Sequence, residues 1–133
     1  MSTIDCESEQ PVAFRQVLHA GKHVFYADSA LADGGAETAP GAHDYFASLA
    51  ACKALTALVY AKTKGYPLER VETHVERDDS QERQGTYRLK VRLAFHGAAL
   101  TDEQRQRLHD VVGRCPVHKL MTTTDVVIET APL

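Results

Sequence analysis

Three cysteines and seven histidines are the side chains of this 133-residue chain best suited to nucleophilic or metal chemistry. Cys115 has the more legible surroundings. Pro116 is of the type favoured at a first helical position, so Cys115 is expected at the N-cap of a short helix over 116–121. A thiol there meets unpaired backbone N–H groups and the positive end of the helix dipole. Both favour thiolate and should bring its pKa below the free value of about 8.5. His118, one turn on, is placed to add positive charge. The same pattern also suits an unreactive buried cysteine at a turn. Cys52 lies mid-run in LAACKAL, where the dipole gives little help and an apolar setting would raise the pKa. It needs a basic partner from elsewhere, or a helix start aimed at it. Lys53 points about 100° away around a helix and is not an obvious partner. His43 and Asp44 are supporting candidates, although an Asp at a helix start is also ordinary capping chemistry. Cys6 stands in a polar, acidic terminus with nothing nearby to tune it. Cys52, Cys115 and His118 form a conceivable metal set, but Cys-x-x-His is a single ligand pair with no second close-spaced pair. Neither a metal nor a cofactor is expected.

The element that must carry Cys52 is the run His43–Lys64. Sixteen of the seventeen residues from Tyr45 to Ala61 are apolar, Ala, Ser or Thr, and only Lys53 is charged. Ala and Leu are strong helix formers and no Gly or Pro interrupts, so one long central helix of roughly 33 Å is expected, apolar nearly all round and therefore buried. A mid-run Lys argues against a membrane span. Lys64-Gly65-Tyr66-Pro67 ends the helix. Ahead of it, residues 1–11 read as a loose terminus. Val12–Leu18 and Lys22–Ala27 read as a hairpin turning at Gly21. Asp28–Ala42, with Gly34-Gly35 and Pro40-Gly41, reads as a long loop. Beyond the helix, Val71–Glu76 and Tyr87–Phe95 alternate apolar with polar and read as strands with one wet face. Thr101 to Gln104 has capping-box spacing, so a second helix starts there and ends at Gly113. Val126–Thr130 reads as a last strand. The order ββ-α-ββ-α-β, without a glycine fingerprint, makes the chain a single α+β domain over 1–133, an antiparallel sheet packed on a long helix.

Composition sets the bounds. A 44 % hydrophobic and 25 % charged chain is an ordinary globular one. A net charge of −3 with no basic block gives no case for nucleic acid or for an anionic membrane. The first residues lack a basic n-region and an apolar h-region, so a cytoplasmic setting is expected. There, an odd number of cysteines speaks against a disulfide framework, and two spaced cysteines are more often catalytic or metal-binding.

Two motifs in order carry a resemblance. LAACKALTALVYAKTKGYPLERVETHV, then GRCPVHKL and VVIET, with the lead-in ADGGAETAPGAHDYF, resemble the OsmC/Ohr family of thiol-dependent hydroperoxide reductases from about residue 14 onward. The resemblance implies two intertwined chains with the long helices buried at the centre of a homodimer. It implies that Cys52 attacks an organic hydroperoxide, that Cys115 resolves it as a disulfide, and that an external dithiol, with the lipoyl type as a candidate, restores the thiols. Such an activity belongs to oxidative stress response and detoxification. The family also has a Glu nine residues before the first cysteine, paired with an Arg. Here position 43 is His, the nearest carboxylate is Asp44, and no Arg lies between Arg15 and Arg70. The alternative on the same scaffold is a non-catalytic binder of a small apolar ligand, with cysteines that merely line its pocket.

Overall fold

A computed structural model describes residues 2–9, 14–29 and 38–133. It divides into two compact units, Met1–Phe46 and Ala47–Leu133. The class is α+β with antiparallel sheets and a long helix, as the sequence predicts.

In the first unit a three-stranded antiparallel sheet runs in the order β1 (Ile4–Ser8), β2 (Gln16–Ala20), β3 (His23–Ala27). The β2–β3 hairpin turns at Gly21, whose φ of 59° is a conformation glycine adopts without strain. Residues 12 and 13 of the expected first strand, and Gly34-Gly35 of the expected loop, lie outside the described residues. The expectation of a loose terminus over 1–11 is corrected by β1. Its register opposite β2, Ile4↔Ala20 to Ser8↔Gln16, is held by backbone pairing, although every β1 side chain is exposed. A strand stabilised that way leaves no hydrophobic alternation to read. Helix α1 (Ala42–Ala47) follows, with Asp44 in its first turn as expected. Asp44 Oδ2 accepts the Gly41 N–H at 3.0 Å, closing the helix start.

The second unit is built on α2 (Leu49–Lys64). The single helix expected over 43–64 is therefore two, parted at Ser48, a residue type that competes for nearby backbone groups. Gly65, at φ 71°, ends α2, and the Tyr66 N–H returns to the Ala61 carbonyl at 2.8 Å, a left-handed cap. Strands β4 (Arg70–Asp78) and β5 (Arg88–His96) pair antiparallel with a 3-10 turn at Glu82–Gln84 between them. Val71, Thr73 and Val75 lie opposite Phe95, Leu93 and Val91 on the inner face, where the alternation of the sequence placed them. Helix α3 (Asp102–Val112) starts in the capping box Thr101–Gln104, with both reciprocal hydrogen bonds formed. The core consists of Ala57 and Ala61 of α2, Phe95, Leu100, and Leu108 and Val112 of α3. Alanines at the helix contact let α3 approach closely. Helix α4 (Pro116–Thr122) closes the fold.

Two further expectations are corrected. Residues 126–130 form no strand, and Val127 and Ile128 are 81 % and 83 % exposed, because among the described residues no strand lies beside them to complete a ladder. The order among the described residues is thus three strands, two helices, two strands, two helices. Within a single chain, helix α2 is also not buried all round. Its buried stripe is Leu49, Lys53, Ala57 and Ala61, at i, i+4 spacing, whereas Leu55 and Val59 are exposed.

Candidate active site

Cys52 stands in the second turn of α2 and Cys115 in the turn between α3 and α4. The fold brings the two near enough for each side chain to influence the other's ionisation, and both are free thiols. Three local features set this contact. The close α2–α3 packing fixes where α3 ends. Arg114 and Cys115 then turn back on that end, their N–H groups donating to Val111 O at 2.9 Å and Val112 O at 3.3 Å. Pro116 opens α4 at once, so Cys115 is held between two helix ends and is wholly buried.

The electrostatics reverse the order suggested by the sequence. Cys115 was expected to be the acidic thiol. Its burial and its hydrogen bond with Cys52 push its pKa up, outweighing the N–H groups of Val117 and His118 that lower it. Those N–H groups lie toward the sulfur without closing a cap hydrogen bond. Cys52 is half-buried. Burial, the largest influence, raises its pKa, but the Cys115 thiol, the Val117 N–H, the Thr56 hydroxyl and the Lys53 charge together bring it below the ordinary thiol value. The helix start that the sequence assigned to Cys115 thus also serves Cys52, and the thiolate favoured by this site is that of Cys52.

Lys53 is the residue that sequence reasoning dismissed. It is only 6 % exposed; its ammonium donates to the Val112 carbonyl at 3.1 Å and lies 3.0 Å from His118 Nδ1. An ammonium only donates, so in this contact Nδ1 is the acceptor. His118 thus holds the buried lysine against the α3–α4 segment. The available signal was the stripe itself, since Lys53 falls four residues after Leu49 and four before Ala57, in register with the core. His43 and Asp44 belong to the first unit, where Asp44 closes the start of α1. Arg15, of the same unit, pairs through Nε with Glu9 at 2.9 Å and donates to the Thr38 hydroxyl at 3.2 Å. Cys6, exposed on β1, has its sulfur 3.8 Å from Gln16 Oε1. Among the described residues no cluster of three or more His, Cys, Asp or Glu is arranged to hold a metal. The open depressions around Tyr66–Arg107 and His74–Arg92 include neither Cys52 nor Cys115.

Residues 34–131 match the family described as OsmC-like protein, and the chain belongs to that family. Its fold is similar to that of a Psychrobacter arcticus protein provisionally described as an osmotic stress induced and detoxification response protein (TM-score 0.74, 17 % identity, covering 92 % of this chain and 90 % of that one). It is also similar to an OsmC-like protein of Mycoplasma pneumoniae (0.69, 18 %, 92 % and 88 %). An organic hydroperoxide resistance protein of Elizabethkingia anophelis is a further structural relative (0.64, 18 %, 92 % and 89 %). Among curated proteins none matches the chain in sequence. No helix among the described residues is long and apolar enough to cross a membrane.

Proposed function

We propose that this chain is a thiol-dependent peroxidase that reduces organic hydroperoxides. The observation that carries the reading is the Cys52–Cys115 contact, with one thiol made more acidic and the other less. The Cys52 thiolate attacks the distal peroxide oxygen, breaking the O–O bond. The alcohol leaves with a proton, and Cys52 becomes a sulfenic acid. The Cys115 sulfur then displaces hydroxide from that sulfenic acid, giving water and a disulfide. An external dithiol reduces the disulfide to two thiols and is itself oxidised to a disulfide. A raised Cys115 pKa suits this order, because the resolving thiol stays protonated until the first step is over. The setting proposed is cytoplasmic and reducing, with two chains forming the working unit.

The alternative, a passive binder of apolar ligands, asks nothing of the thiols and leaves their mutual influence and opposed shifts without a role. Consumption of cumene hydroperoxide in the presence of a dithiol decides between them. Cys52→Ser is expected to abolish turnover. Cys115→Ser is expected to consume one equivalent per site and leave a dimedone-reactive sulfenic acid at Cys52. Equal turnover by wild type and Cys52→Ser would overturn the enzymatic reading.

A further inference from the structure

We propose that Lys53 is the positioning residue of the thiol pair: its buried ammonium ties α2 to the α3–α4 turn and supplies the positive charge that balances a thiolate at Cys52. The inference deepens the peroxidase reading and rests on it for the meaning of that thiolate, but not for its test.

The geometry is unusual for a lysine. Lys53 occupies the core-facing stripe of α2 between Leu49 and Ala57, and 94 % of its surface is withdrawn from solvent. Among the described residues its partners are the Val112 carbonyl of α3 and the His118 imidazole of α4, neither of them an anion. A buried charge is costly unless paired or neutralised. Here the groups that hold the ammonium are the last turn of one helix, where carbonyls carry partial negative charge, and an imidazole nitrogen on the next. Both flank Cys115. The lysine thus joins the ends of the segment that carries one thiol to the helix that carries the other, which is a reason for the thiols to meet.

The same placement leaves the ammonium without a full counter-charge while Cys52 is protonated. Ionisation of Cys52, the adjacent residue, provides one. Among the described residues of the second unit, the elements packed on α2 offer no rival. The inner face of β4 presents Val71, Thr73 and Val75, and the buried residues of α3 are Leu108, Val111 and Val112. The titratable groups facing Cys52 are then Lys53 on its own helix and Cys115 on the turn, with His118 behind the lysine. Of these, only Lys53 favours the thiolate by its charge. The thiolate and the buried ammonium lessen each other's cost.

The test is the alkylation rate of each cysteine by iodoacetamide against pH, resolved by peptide mass spectrometry, which needs no peroxidase activity. In the wild type, Cys52 is expected to react with a midpoint below the free thiol value of about 8.5, and Cys115 with one above it. Lys53→Met, of similar length and without charge, should move the Cys52 midpoint up. Lys53→Arg keeps the charge and should return it most of the way. Circular dichroism establishes that each variant is folded. A folded Lys53→Met protein with an unshifted midpoint overturns the assignment. So does a Lys53→Arg shift as large as that of Lys53→Met, which would assign the effect to packing. Where Lys53→Met does not fold, the wild-type order decides: Cys52 ionising no earlier than Cys115 overturns the role. Absence of peroxide turnover with this order intact would instead count against the peroxidase reading alone.

Discussion

Asp28 shows what a single carboxylate does for the first unit. It is 8 % exposed and accepts three hydrogen bonds: from the Ser29 N–H at 2.8 Å, the Thr38 N–H at 2.9 Å and the Thr38 hydroxyl at 2.7 Å. The Thr38 hydroxyl is the largest influence that holds its pKa below the ordinary carboxylate value, with the two N–H groups and Arg15 adding to it. The folded pKa lies below the unfolded one of about 3.9, so the carboxylate's contribution is complete above that value and disappears as pH falls through the folded pKa. Asp28→Asn should therefore lower the melting temperature by a few degrees at pH 7, and the difference should shrink as pH drops below about 4. A difference that stays constant down to pH 2 would mean that the carboxylate's charge is not what matters. None of this is visible in the sequence, where Asp28 and Thr38 sit at either end of an apparently featureless stretch. The two site cysteines show the same limit. Their residue types and the Cys-Pro turn mark them as candidates, yet which one favours thiolate depends on N–H groups and a lysine that only the fold brings into place.

Elements whose signals are local were readable; those that depend on a neighbour were not. Thr101 and Gln104 announce α3, Gly65 announces the end of α2, and the alternation over 71–95 announces two strands, because each is decided by residues a few positions apart. Strand β1 and the unpaired run 126–130 are decided by whether another strand is there to accept hydrogen bonds, which no local pattern states. The β5–α3 connection belongs between these cases. Gly97 is buried where a Cβ would collide with the Pro67 carbonyl, and the Arg105 guanidinium donates to the carbonyls of Phe95, Gly97 and Leu100 at 3.3, 3.2 and 2.8 Å. The glycine permits that approach and the arginine satisfies the carbonyls it leaves. Gly97→Ala should thus destabilise the protein by about 1–3 kcal/mol, the usual range for overpacking, in a urea titration. An unchanged midpoint would show that the 67–69 segment shifts without cost.

For the molecule as a whole, the exposed side of α2 is the feature that asks for a partner. Leu55, Leu58 and Val59 are 61 %, 39 % and 64 % exposed, more apolar surface than one face of a helix commonly leaves to water. We expect two copies of the chain to cover it, with a total interface above about 2,000 Å², so that light scattering at micromolar concentration gives twice the chain mass. A monomeric mass with the fold intact would exclude this.

The contact between Cys52 and Cys115 has a second consequence. The two positions are separated by a stretch of about 60 residues that includes β4, β5 and α3. A covalent link between them would restrict the unfolded chain far more than the folded one, in which the two thiols are already neighbours. By the chain-entropy relation a ring of that size is worth up to about 4 kcal/mol. Oxidation and folding would then be two faces of one equilibrium, each drawing the other forward. A chain waiting for its reductant would be harder to unravel than one ready to react, and the oxidised protein would be guarded against unfolding during the interval in which it has no activity to offer.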